Sequence, residues 1–154
     1  MPARTSRATR PSGLVASSDD GTATAVLDAS ALIAFLHGED GQEVVASALV
    51  GRATISVVNW AEVLSKVAMD GGDPVALEAD YRERGLLGRS LSIEPMTDAD
   101  CVEVARLRPL TVKQGLSLAD RACLVLAERL GVPALTTDRV WADADVAVEV
   151  QLIR

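Results

Sequence analysis

The chain has 154 residues, enough for one core and few for two, since single cores usually occupy about 100 to 200 residues. Apolar residues make up 49% and aromatic residues only 3%, so the interior must be built from Val, Leu, Ile and Ala, which suits helices packed on a buried sheet. A formal charge of -7 argues against a protein that grips nucleic acid through overall positive potential, so any chemistry on phosphates would draw on bound cations.

Residues 1 to 23 are rich in Arg, Ser, Thr, Ala and Gly, include Arg4, Arg7 and Arg10, and read as a tail preceding a domain over 24–154. Thr24-Ala25-Val26-Leu27 then reads as a short buried strand stopping at Asp28. Ser30 opens a helix that His37-Gly38 ends, and Gln42 to Val50 forms a second helix closed by Gly51. Thr54-Ile55-Ser56-Val57-Val58 reads as the second strand, with a helix from Asn59 to about Met69. Pro74 begins the next helix, Leu91-Ser92-Ile93-Glu94 is a third strand, and Thr97 caps a helix ending near Pro109. Ser117 to Leu130 is amphipathic, with Leu118, Ala122, Leu126 and Leu130 on one stripe. Ala134-Leu135-Thr136-Thr137 ends at Asp138, and Val146 to Ile153 supplies a final strand. Strands alternating with helices require crossovers, hence an α/β fold with a mostly parallel sheet. Cys101 and Cys123 sit in helical apolar spacing and read as reduced core residues. Neither a membrane-length apolar run nor the apolar stretch of a secretory signal is evident, so a cytoplasmic location is expected.

Four acids stand at informative places. Asp28 and Asp138 each follow a buried strand, while Glu62 and Asp120 each fall in the expected first turn of a helix. In open parallel sheets, ligand sites form outside the carboxyl ends of the strands, so the four can converge. Each also has a structural explanation. Asn59-x-x-Glu62 and Ser117-x-x-Asp120 fit the capping box, and Asp28 and Asp138 fit turn positions. Crowded carboxylates repel by roughly 4 kcal/mol per pair at 4 Å and an effective dielectric near 20, so a shared site calls for a cation. With one histidine and no clustered cysteines, oxygen ligands for Mg2+ or Mn2+ fit better than a zinc site.

The segments Val26-Leu27-Asp28-Ala29-Ser30-Ala31-Leu32, Asn59-Trp60-Ala61-Glu62-Val63, Gly115-Leu116-Ser117-Leu118-Ala119-Asp120-Arg121-Ala122 and Leu135-Thr136-Thr137-Asp138-Arg139-Val140-Trp141 together resemble the four motifs of PIN domains, in order and spacing. Among these, the resemblance is greatest to the VapC-type toxins of bacterial toxin-antitoxin pairs. It implies a three-layer fold with a central five-stranded parallel sheet flanked by helices. It also implies an acidic site of Asp28, Glu62, Asp120 and Asp138, supported by hydroxyls at Ser30 and Thr136. The implied activity is Mg2+-dependent endoribonuclease cleavage leaving 5'-phosphate and 3'-hydroxyl ends, with Mn2+ able to substitute. The implied partners are an RNA substrate, a small antitoxin with a basic segment, and a second copy of the chain. Lys113, Arg121 and Arg139 lie in or beside the motifs and are candidates for contacting substrate phosphates. The competing reading is a PIN-like module that binds RNA or protein without cutting. A serine-hydrolase triad and a dinucleotide fold lack their Gly-x-Ser-x-Gly and Gly-x-Gly-x-x-Gly signatures.

Overall fold

In the computed structural model, which describes residues 22–154, the chain enters its sheet through β1 (Ala25–Leu27), three consecutive buried apolar residues. A strand buried on both faces needs covering elements on each side. The rest of the chain supplies them in order: α1 (Ala29–His37), α2 (Gln42–Val50), β2 (Ala53–Ser56), α3 (Val57–Met69), α4 (Pro74–Glu83), β3 (Leu91–Glu94), α5 (Asp98–Leu110), α6 (Leu118–Leu130), β4 (Ala134–Thr136), a short 3-10 helix (Arg139–Asp143) and β5 (Val150–Leu152). The strands form one sheet in the order β3-β2-β1-β4-β5, and every neighbouring pair is parallel. The α/β architecture expected from the alternating pattern is therefore the one adopted, with cores on both faces of a five-stranded parallel sheet.

Alternation along the strands divides the interior. On one face Ala25, Leu27, Ile55 and Leu135 meet Leu32, Val45, Trp60 and Val63 from α1, α2 and α3. On the other, Val26 and Ala134 meet Leu116, Leu124, Ala127 and Trp141. Helix α5 packs on α6 through Val104, Ala122 and Val125.

Several boundaries differ from the sequence reading, each for a local reason. Val57 and Val58 are helical, because the Ser56 hydroxyl caps α3 by accepting from the Val58 amide at 3.2 Å. Two β-branched residues had suggested a longer strand, and the cap overrides them. Helix α1 starts at Ala29 with Asp28 as its cap, one position before the expected Ser30 opening. The final strand is confined to Val150–Leu152, and a 3-10 helix fills part of the span before it. Helix α6 is not a surface helix with a single apolar stripe: Arg121 through Ala127 are all buried, while Leu118 and Leu130 are exposed. Cys123 is buried as expected, but Cys101 is exposed, and both are free thiols. Of the tail read over residues 1 to 23, all but Thr22 and Ala23 lie outside the described residues. Among the described residues, no helix is long and apolar enough to cross a membrane.

Candidate active site

The sheet order reverses between β1 and β4: β2 and β3 lie to one side of β1, and β4 and β5 to the other. Connections leaving in opposite directions open a crevice at the carboxyl ends of those two strands. Asp28 stands in it directly after β1, with 4% of its surface exposed. Its Oδ1 accepts from the Ala29 amide at 2.8 Å and from Asn59 Nδ2 at 3.2 Å. Its Oδ2 accepts from Ser30 Oγ at 2.6 Å and Thr136 Oγ1 at 2.9 Å. Four donors occupy the roughly four acceptor positions of a carboxylate, so the group is fixed in position and rotation. Burial pushes the Asp28 carboxyl above the usual carboxylate range; hydrogen bonds from Ser30 and Thr136 pull the other way, and the nearby charge of Asp120 adds to the rise.

The two hydroxyls extend this arrangement. Ser30 Oγ and Thr136 Oγ1 lie 3.3 Å apart, Ser30 Oγ accepts from the Thr137 amide at 3.1 Å, and Thr136 Oγ1 accepts from the Asp138 amide at 3.1 Å. The backbone of Asp138 is thereby joined to Asp28 through one threonine. The Asp138 carboxylate caps the 3-10 helix, its Oδ1 accepting from the Val140 amide at 3.1 Å.

Asp120 is the third residue of α6 and completes a capping box: Ser117 Oγ accepts from the Asp120 amide at 3.1 Å, and Asp120 Oδ2 accepts from the Ser117 amide at 2.7 Å. Glu62 is different. Because α3 begins at Val57, Glu62 is the sixth helical residue, so the capping box expected with Asn59 does not form. No hydrogen-bonded cap explains its position, and it is exposed. Partial desolvation, then the charges of Asp28 and Asp120, raise its carboxyl above the ordinary value. Cys123, one turn beyond Asp120, has its thiol pushed far up by complete burial and by the charges of Asp28, Asp120 and Glu62. Three of the four predicted acids therefore share one electrostatic neighbourhood. Asp138 is not among the charges that raise these groups.

Asn59 is the site residue that sequence reasoning missed. Its spacing to Glu62 suggests a helix cap, yet it lies inside α3, fully buried, and its amide reaches Asp28. A polar residue between Val58 and Trp60, one turn after a serine able to cap, was the available signal. Ser30 and Thr136 do bond the acidic site as the motif resemblance implied. Arg121 is removed from the substrate-facing set: it is 9% exposed, and its guanidinium donates to the Val104 and Ser117 carbonyls at 2.7 and 3.3 Å. Lys113 and Arg139 are exposed.

The accessible donors are carboxylate oxygens; Cys123 is buried, and His37 lies at the far end of α1 beside Glu39. Among the described residues, no three His, Cys, Asp or Glu side chains are gathered tightly enough to cage a cation by themselves. That donor set fits a hard cation such as Mg2+, which keeps several waters and commonly takes one or two carboxylates together with substrate phosphates.

The PIN domain family matches residues 25–147, and the chain belongs to that family. Solved structures share its fold: a toxin-antitoxin complex from Klebsiella pneumoniae (18% identity, TM-score 0.61, covering 84% of this chain and 98% of that one) and VapBC2 from Rickettsia felis bound to a promoter DNA fragment (13%, 0.63, 83% and 97%). A third is VapC20 from Mycobacterium tuberculosis, described as a toxin that cleaves the sarcin-ricin loop (15%, 0.61, 80% and 96%). No curated protein matches the chain.

Proposed function

We propose that the chain is a Mg2+-dependent endoribonuclease, the toxin of a toxin-antitoxin pair, acting in the cytoplasm to inhibit translation and growth. The observation that carries this reading is the convergence of Asp28, Glu62 and Asp120, from three different elements, around a buried carboxylate held by four donors. Leaving such a set of negative charges uncompensated is unfavourable, and Mg2+ or Mn2+ would offset it while also binding the RNA phosphate.

Asp28 and Asp120 would hold the cation together with substrate phosphates and water, Asp28 by exchanging one of its four hydrogen-bond donors for it, while Glu62 and Asp138 would act through the cation's water. A bound divalent cation supplies a water of lowered pKa and charge stabilisation at the phosphate. Asp28 anchors the site because its neighbours fix its orientation. Glu62, exposed and with raised proton affinity, accepts the proton of the attacking water. Asp120 is held by the Ser117 amide through Oδ2, which leaves Oδ1 for the cation. Lys113 and Arg139, exposed in or beside the motif segments, would contact substrate phosphates.

The natural partner is a small antitoxin whose basic segment fills the acidic crevice, in keeping with the toxin-antitoxin complexes that share the fold; the toxin itself pairs as a homodimer. The deciding experiment incubates antitoxin-free protein with total cellular RNA in Mg2+, Mn2+ or EDTA, beside folded Asp28→Asn protein. Discrete cuts that need both metal and Asp28 are expected. Absence of cutting by protein shown to bind Mn2+ would instead select the non-catalytic binding module.

A further inference from the structure

The loop between α5 and α6 carries a side chain that the acidic motif does not include. Gln114 reaches across to the 3-10 helix, where its Nε2 donates to the Asp143 carbonyl at 3.0 Å, 29 positions away. That carbonyl belongs to the last residue of the 3-10 helix, whose terminal acceptors have no partner within the helix. At its other end the same helix is capped by Asp138. Trp141, 1% exposed, pegs its middle into the core beside Leu116 and Cys123. On the loop side, Gln114 lies three residues before Ser117, whose amide holds Asp120. One side chain thus ties the segment carrying Asp120 to the segment carrying Asp138.

Gln114 Oε1 and Trp141 Nε1 are both buried without a partner among the described residues. They are an acceptor and a donor on the two sides of the same joint. We infer that Gln114 is a positioning residue that sets the separation of Asp120 and Asp138 by tying the α5–α6 loop to the end of the 3-10 helix. This rests on the nuclease reading for its consequence in catalysis, but the tie itself is independent of it.

The test is a double-mutant cycle on RNA cleavage in Mg2+ with wild type, Gln114→Ala, Asp138→Asn and the double variant. Gln114→Ala is expected to lower kcat about tenfold with KM within about twofold, and to cost under about twofold more in the Asp138→Asn background. Equal losses in both backgrounds, or no loss, would overturn the assignment. Amide hydrogen exchange gives a readout that needs no activity. In metal-free Gln114→Ala the Asp138 and Val140 amides should exchange at least about fivefold faster while α1 and α3 are unchanged; unaltered exchange at those amides would overturn the tie even if wild type cuts no RNA. Should the alanine variant not fold, Gln114→Glu, which keeps length but replaces the donor with an acceptor facing Asp143, must give the same two outcomes.

Discussion

The two walls of the crevice are built differently. Around Asp28 local and long-range bonds combine: the buried carboxylate caps α1 through Ala29 and Ser30 and also accepts from Asn59 of α3 and Thr136 of β4, 31 and 108 positions away. The wall of Asp120 and Asp138 is assembled locally, each acid bonded to backbone amides within three residues of itself. A carboxylate held from several elements is positioned only when the whole fold is formed, whereas a capping carboxylate is positioned as soon as its own helix is. The first arrangement suits an anchor that must not move, and the second suits acids that meet a cation and a substrate at the surface.

The largest effect should come from removing the charge at the anchor. Asp28→Asn is expected to lower cleavage by at least about 100-fold while the protein stays folded. The same variant tests the energetics. The folded Asp28 has a raised pKa, so its contribution to stability is fully present below the ordinary carboxylate value and is lost as pH rises through the raised one. Metal-free wild type should therefore lose melting temperature, relative to Asp28→Asn, as pH rises from the ordinary carboxylate value. A relative gain over that rise would mean that burial does not dominate at Asp28.

Thr136→Val deletes the hydroxyl shared by the two walls while keeping side-chain volume. It should destabilise the protein by about 1–3 kcal/mol, from the acceptor and donor left unpaired, and lower kcat about tenfold. Chemical denaturation and initial rates would show both; a loss of kcat without loss of stability would remove the threonine from the structural link. Ser117→Ala probes the local wall alone, and the loss of one helix cap should cost about 1 kcal/mol. A cost matching that of Thr136→Val would erase the contrast between the walls. The smallest effect belongs to the exposed cations. Arg139→Ala should leave stability unchanged and reduce the salt slope of RNA binding by about one; an unchanged slope and affinity would take Arg139 out of the interface.

The strands and most of the helices were legible because their signals are local. Apolar runs end at Asp28 and Asp138, Ser117 precedes Asp120 by three residues, and glycine or proline punctuates the helices. The parallel sheet followed from alternation alone, since parallel neighbours require crossovers. Local signals also misled where two competed: the β-branched pair Val57-Val58 outweighed the Ser56 cap, and that error gave Asn59 and Glu62 a capping box they do not form. What needed the tertiary structure was every interaction that depends on strand order. Asn59 and Thr136 lie 31 and 108 positions from Asp28, and neither pairing has a mark in a local window. Burial decided the rest: whether Arg121 faces substrate or the Val104 carbonyl, and whether a carboxyl keeps its ordinary proton affinity, depends on which surfaces the assembled layers remove from water.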